Sequence, residues 1–178
     1  VASIDNPKER NDRALPSGTV TFLFTDIEGS TKLWENFPKE MLSALKIHDE
    51  IVRAAIENNG GRVFKCVGDA FCAAFESAPD ALKSALEANL SLQSIDWGNF
   101  EPIRIRSGLH TGLAEQRDGD YFGSTLNRVA RTQAVGHGRQ ILLSEASHEL
   151  TRRHLPEGTT LVDIGLYELS GLAGAERI

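Results

Sequence analysis

Two acids, a lysine and an Asn/Arg pair have the types and spacing that phosphate chemistry needs. Asp26 follows the β-branched and aromatic run Thr19 to Thr25 (TVTFLFT). Asp69 belongs to the Gly68-Asp69 pair between the apolar runs of GRVFKCVGDAFCAAF. If the strands that carry them are neighbours, two carboxylates converge on one spot. Paired hard oxygen donors suit Mg2+ or Mn2+, which keep substrate phosphates among their ligands. Two such ions clamp the attacking and leaving oxygens of a phosphoryl transfer. Asn127 and Arg131 are four apart and share a helix face. There an Arg fork suits a phosphate, and Asn can orient a hydroxyl. Leu126, Val129 and Ala130 form a separate apolar stripe, which keeps that pair out of the core. Gly29, Ser30 and Thr31 follow Asp26, where a Ser/Thr cap opens a helix and offers N–H groups to an anion. Turn carboxylates and a solvated helix face would leave the same trace, so each pair needs support from the other.

The elements that position these residues follow from periodicity. Gly68 can take the positive φ of a two-residue hairpin turn. Regular pairing then sets Val67 against Ala70, Lys65 against Cys72 and Val63 against Ala74 on one face. Phe64, Cys66, Phe71, Ala73 and Phe75 lie on the other, the aromatic side expected to pack on the domain's own helices. The small apolar side, with Lys65 in its middle, requires a second cover. Met41, Leu45, His48, Val52 and Ala55 recur at helical spacing, with Leu42, Ile51 and Ile56 beside them, up to Gly60-Gly61. His48 reads as a core histidine. Ser77 caps a helix with the stripe Leu82, Ala85, Leu86 and Leu90. Ile103 to His110 alternates as a strand, Thr111-Gly112 turns it into Leu113 to Gln116, and the polar loop RDGD follows. A helix runs from Gly123 to about Val135. Gln140 to Leu143 is a short strand, and Ser144 caps a helix through Arg152. Thr159 to Ile164 and Leu166 to Leu169 read as late strands. This order predicts an α+β fold. Its core is ferredoxin-like βαββαβ with additional C-terminal strands and helices, and its helices lie on one face of a mainly antiparallel sheet.

The chain has 178 residues and a formal net charge of −6, which weighs against a nucleic-acid partner. One domain over 18–178 is expected after a polar tail or linker over 1–17 that carries Pro7 and Pro16. No apolar run is long enough to span a bilayer, so no membrane contact by this domain is expected. Cys66 and Cys72 fall on opposite hairpin faces, so no disulfide is expected and a reducing, cytoplasmic setting follows. The start at Val1 rather than Met suggests a piece of a longer protein with other domains before it.

FTDIEGST, FKCVGDAF and GDYFGSTLNRVAR resemble the three signature segments of the class III nucleotidyl cyclase catalytic domain, bacterial type. GLHTG and GHGRQILLS match as well, and the similarity runs in order from about Gly18 to the C-terminus. The resemblance implies metal binding by Asp26, Asp69 and the carbonyl of Ile27. It implies base selection by Lys65 and Asp120, ribose orientation by Asn127, and transition-state stabilisation by Arg131. It also implies a head-to-tail homodimer, with the metal aspartates from one chain and the other residues from its twin. A donor Lys and an acceptor Asp fit the N1 and N6 edge of adenine, whereas guanine would leave charges unpaired. The implied reaction converts ATP to 3′,5′-cyclic AMP and pyrophosphate with two divalent ions. The chain departs from the pattern at Ser170, where relatives often carry a triphosphate-binding Lys. Arg177 or the Gly29-Ser30-Thr31 turn could substitute. The alternatives are a catalytically weak, nucleotide-binding regulatory module; a guanylate cyclase, opposed by Lys65 and Asp120; and another two-metal enzyme such as a diguanylate cyclase, for which no GGDEF-like segment is present.

Overall fold

The strand that ends in Asp26 and Ile27 is the centre of the sheet. In the computed structural model, which describes residues 14–172 and 174–178, it is β1 (Thr19–Ile27). It is followed by α1 (Ser30–Asn36), α2 (Pro38–Asn58), β2 (Arg62–Val67), β3 (Ala70–Phe75) and α3 (Ala78–Gln93). Then come β4 (Ile105–Leu113), β5 (Glu115–Arg117), β6 (Asp120–Phe122), α4 (Ser124–Ala134), β7 (Ile141–Leu143), α5 (Glu145–Thr151), β8 (Leu166–Glu168) and β9 (Ala175–Arg177). The main sheet has the order β2-β3-β1-β4-β7. Its first four strands are antiparallel, and β7 joins β4 in parallel. This is the expected split βαββαβ arrangement of a mixed α+β fold. Residues 1–13 of the expected tail lie outside the described residues. Leu15 and Pro16 already engage the domain: Leu15 packs against an aromatic cluster, and the Pro16 carbonyl accepts the Tyr121 hydroxyl at 2.5 Å.

Alternation along β1 divides the molecule into two layers. Leu23 and Ile27 join Phe71, Phe75, Ile105 and Leu109 in the main core, against Met41, Val52 and Ile56 of α2 and Leu82, Ala85 and Leu92 of α3. His48 is fully buried there, edge-on to Phe71, with Nδ1 on Asp49 and Nε2 without a partner. Leu42 and Leu90, expected on buried stripes, point to solvent instead. Val20 and Phe22 face the other way, into a cluster with Ala74, Tyr121 and Val129.

The helices α2 and α3 give the expected layer, and α4 lies across the opposite face. Glycines in β4 admit it: a Cβ at Gly108 would come 2.6 Å from the Gln133 backbone nitrogen, and one at Gly112 would come 2.9 Å from Thr125 Oγ1. The small apolar row around Lys65 is therefore covered in part by its own chain. Ala74 is fully buried under this second layer, while Val67 near the hairpin tip stays exposed.

The β2–β3 hairpin has the expected turn, with Gly68 at φ 61°. Val67 faces Ala70 and Lys65 faces Cys72, but Val63 faces Ala73 rather than Ala74. Phe64 is the extra residue of a bulge. Two neighbours on the bulged strand can then project to the same side. Phe64 accordingly packs beside Phe22 and Tyr121, not on the helix side, and Val63 replaces it against the main core.

Three further expectations change. β4 runs straight through Thr111-Gly112 to Leu113, since those residues pair with Thr21 and Val20 of β1. The RDGD segment is a second hairpin, β5–β6, whose Asp118 and Gly119 take φ 52° and 76°. Residues 159–164 form no strand, while β8 pairs with β9.

Candidate active site

The first cluster is built at the end of β1. Asp26 is the last-but-one residue of that strand, and Asp69 sits at the tip of the neighbouring hairpin. Asp69 Oδ2 accepts the backbone N–H of Ile27 at 2.7 Å. The two carboxylates therefore flank Ile27, as strand neighbourhood required. Asp26 accepts two hydrogen bonds from Arg106 of β4, Nε to Oδ1 at 2.8 Å and Nη2 to Oδ2 at 2.5 Å. Register explains the pair, because Asp26 and Arg106 are directly opposed. The third acid of the segment, Glu28, points elsewhere, accepting the Gly138 N–H at 2.9 Å and lying 3.6 Å from Arg104.

Among the described residues no set of three or more His, Cys, Asp or Glu side chains converges on a metal position. Two hard carboxylates and a strand-end carbonyl still fit an ion that takes few protein ligands and completes its shell with water and phosphate. Gly29 caps α1 in the left-handed region at φ 70°, so the expected Ser/Thr cap is replaced by a glycine. Ser30 and Thr31 start the helix, where first-turn amides have no intrahelical partner.

The second cluster joins the two hairpins. Lys65 Nζ donates to Asp120 Oδ2 at 2.5 Å, and the Tyr121 backbone N–H donates to Asp120 Oδ1 at 2.8 Å. The lysine holds the Asp120 carboxyl below the usual range, and the carboxylate raises the Lys65 ammonium in turn. The Lys65 side chain remains half exposed, so a ligand can reach it. Cys72, across the strand from Lys65, has its thiol pushed up to about 11 by burial and stays protonated. Both cysteines are free.

The third set stands on α4. Thr125, Val129 and Thr132 face inward, and Asn127 and Arg131 are exposed. Neither makes a side-chain hydrogen bond or ion pair among the described residues. Arg128, between them on the same helix, pairs with Glu176 of β9. The structure thus brings Asp26, Ile27 and Asp69 together, and Lys65 and Asp120 together, and leaves Asn127 and Arg131 on an open face. Ser170 is exposed, and Arg177 is engaged by Asp163. Sequence reading missed Arg106 as a neighbour of Asp26. Its only trace was a cation on the polar side of β4.

Comparison with known proteins agrees with this fold. The family model described as the adenylate and guanylate cyclase catalytic domain matches residues 13–177. An uncharacterised protein of Mycobacterium tuberculosis is 42% identical over 168 residues, covering 93% of this chain and 56% of its own length. An adenylate cyclase of Neurospora crassa is 35% identical over 188 residues, covering 92% of this chain and 8% of its own. A solved adenylate cyclase of Trypanosoma brucei in its monomeric state superposes with a TM-score of 0.82 at 27% identity, covering 94% of this chain and 90% of that one. The chain spans little more than half the length of its mycobacterial relatives. With the family model matching 13–177 and the fold in agreement, the chain belongs to the adenylate and guanylate cyclase catalytic domain family.

Proposed function

We propose that this domain is an adenylate cyclase, converting ATP to 3′,5′-cyclic AMP and pyrophosphate as a head-to-tail homodimer with its sites at the interface. The observation that carries the choice of base is the Lys65–Asp120 pair, a cationic donor beside an anionic acceptor on a reachable surface. Adenine presents the complement, an acceptor at N1 and a donor at N6, whereas guanine presents the reverse. The similarity to the Neurospora crassa adenylate cyclase supports the same choice.

Asp26, Asp69 and the Ile27 carbonyl would hold Mg2+ or Mn2+, which when bound lowers the pKa of the ribose 3′-hydroxyl and offsets triphosphate charge. Arg106 is a cation beside that spot, held on Asp26, while Arg177 is held by Asp163. The amides of Gly29, Ser30 and Thr31 add neutral donors to the phosphates. Asn127 orients the ribose, and Arg131 meets the charge that develops at the α-phosphate. Both stand on the outer face of α4 without side-chain partners among the described residues, which suits delivery to a second copy. The free cysteines accord with a cytoplasmic setting, and no described helix is long and apolar enough to cross a membrane. The greater length of the relatives accords with companion regulatory domains.

The test is product formation from ATP and from GTP with Mn2+, in the natural chain and in Lys65→Glu. Cyclic AMP from ATP, reduced at least ~100-fold in Lys65→Glu, is the expected result. Unchanged adenylate cyclase activity in the variant, or preference for GTP in the natural chain, refutes the assignment. Clear ATP binding with no product would favour the alternative, a nucleotide-binding regulatory module.

A further inference from the structure

The bulge at Phe64 lets two consecutive residues act on one side of the sheet. Lys65 reaches Asp120, and Phe64 lies edge-on to Tyr121 with ring centroids 4.9 Å apart at 77°. Consecutive residues of β2 thus meet consecutive residues of β6, although the two strands share no ladder. Tyr121 is held on every side. Its ring meets Phe22 at 4.9 Å and 80°, its hydroxyl donates to the Pro16 carbonyl, and its backbone N–H donates to Asp120 Oδ1. It is 4% exposed and its hydroxyl is pushed up to about 12 by burial, so it is a neutral donor with no access to a substrate. Asp120 itself hangs on a three-residue strand beside a two-residue turn, with β5 its only ladder partner among the described residues. Nothing in the short hairpin alone fixes its distance from Lys65.

From this we infer that Phe64 and Tyr121 are positioning residues for base selection: the bulged Phe64 and the Pro16-anchored Tyr121 set where Asp120 stands relative to Lys65. The inference rests on the adenine reading of that pair, and it adds residues that touch no substrate. Discrimination between bases needs a donor and an acceptor at fixed spacing, and a loose carboxylate would follow the ligand instead of selecting it.

The experiment uses the full chain, Tyr121→Phe and Phe64→Leu, with two readouts. The first needs no nucleotide: carbon-13 NMR titration of the Asp120 carboxyl. In the natural chain it is expected to titrate below the ordinary aspartate range, where Lys65 holds it, and in both variants to move back toward that range. Unchanged titration in both folded variants overturns the inference. The second is the ATP-to-GTP ratio of kcat/KM. Loss of one fixing hydrogen bond in Tyr121→Phe lowers it by about 3- to 10-fold, mainly through KM for ATP. In an Asp120→Ala background the same change has no further effect, because Tyr121 acts through Asp120. A loss of thermal stability with the ratio intact, or an equal loss of ratio in the Asp120→Ala background, assigns a purely structural role and also overturns it. Should the natural chain cyclise neither nucleotide, the adenine reading fails, while the titration still decides whether the two aromatic residues position Asp120.

Discussion

Asp26 and Arg106 meet through two hydrogen bonds on a surface that is neither dry nor fully solvated, with side chains 23% and 28% exposed. Such a pair adds little to stability, because both ions keep water within reach. Its value lies in placement, since the guanidinium waits beside the carboxylate that would take an ion. Asp26→Asn separates the two roles. Activity should fall on the order of 100- to 1,000-fold, reflecting several kcal/mol of lost charge stabilisation. Denaturant unfolding should shift by less than about 1 kcal/mol. A variant that unfolds early, or one that keeps its turnover, would show that Asp26 serves the fold and not the chemistry. Glu28 illustrates the contrast, an acid two residues away whose carboxylate ties down Gly138 and the loop beside it.

At the scale of elements, α4 is the piece whose position matters most, since it carries Asn127 and Arg131. It rests on β4 where two glycines leave no side chain between the backbones. Gly108→Ala would drive a methyl group into the Gln133 backbone, which cannot swing aside as a side chain would. The expected cost is about 2–3 kcal/mol by denaturant unfolding, at the upper end of overpacking, with activity lost through a shifted α4. A silent substitution would contradict the close approach of α4 to Gly108. The hairpin turn at Gly68, the long α2, the exposed pair on α4 and the βαββαβ order were all legible, because each rests on short-range periodicity or turn chemistry. The β2 bulge was not, since an extra residue in a ladder is fixed by the partner strand, and Phe64 was set on the wrong face as a result. Nor was the pairing of Asp26 with Arg106, which depends on a register across 80 residues. The β5–β6 hairpin did have a local signal, Asp118-Gly119, the dipeptide of a primed turn. Polarity alone led to its being read as a loop. Likewise α4's place on the second face could be suspected only from glycines spaced four apart in a strand.

At the scale of the whole molecule, the proposed site residues fall into three groups. Asp26 and Asp69 stand at the end of the central strand, Lys65 and Asp120 bridge the hairpins, and the polar pair of α4 stands exposed. A symmetric dimer that sets each group of acids against the other copy's remaining groups would complete two equivalent sites. The most direct measurement mixes two inactive variants, Asp26→Asn and Arg131→Ala, after separate purification and exchange of subunits. Each mixed dimer would keep one intact site, so cyclic AMP formation should recover to about a quarter of the natural rate at equal mixing. If the mixture stays as inactive as its parts while both variants remain folded and exchange, the acids and the arginine do not serve one nucleotide from two chains.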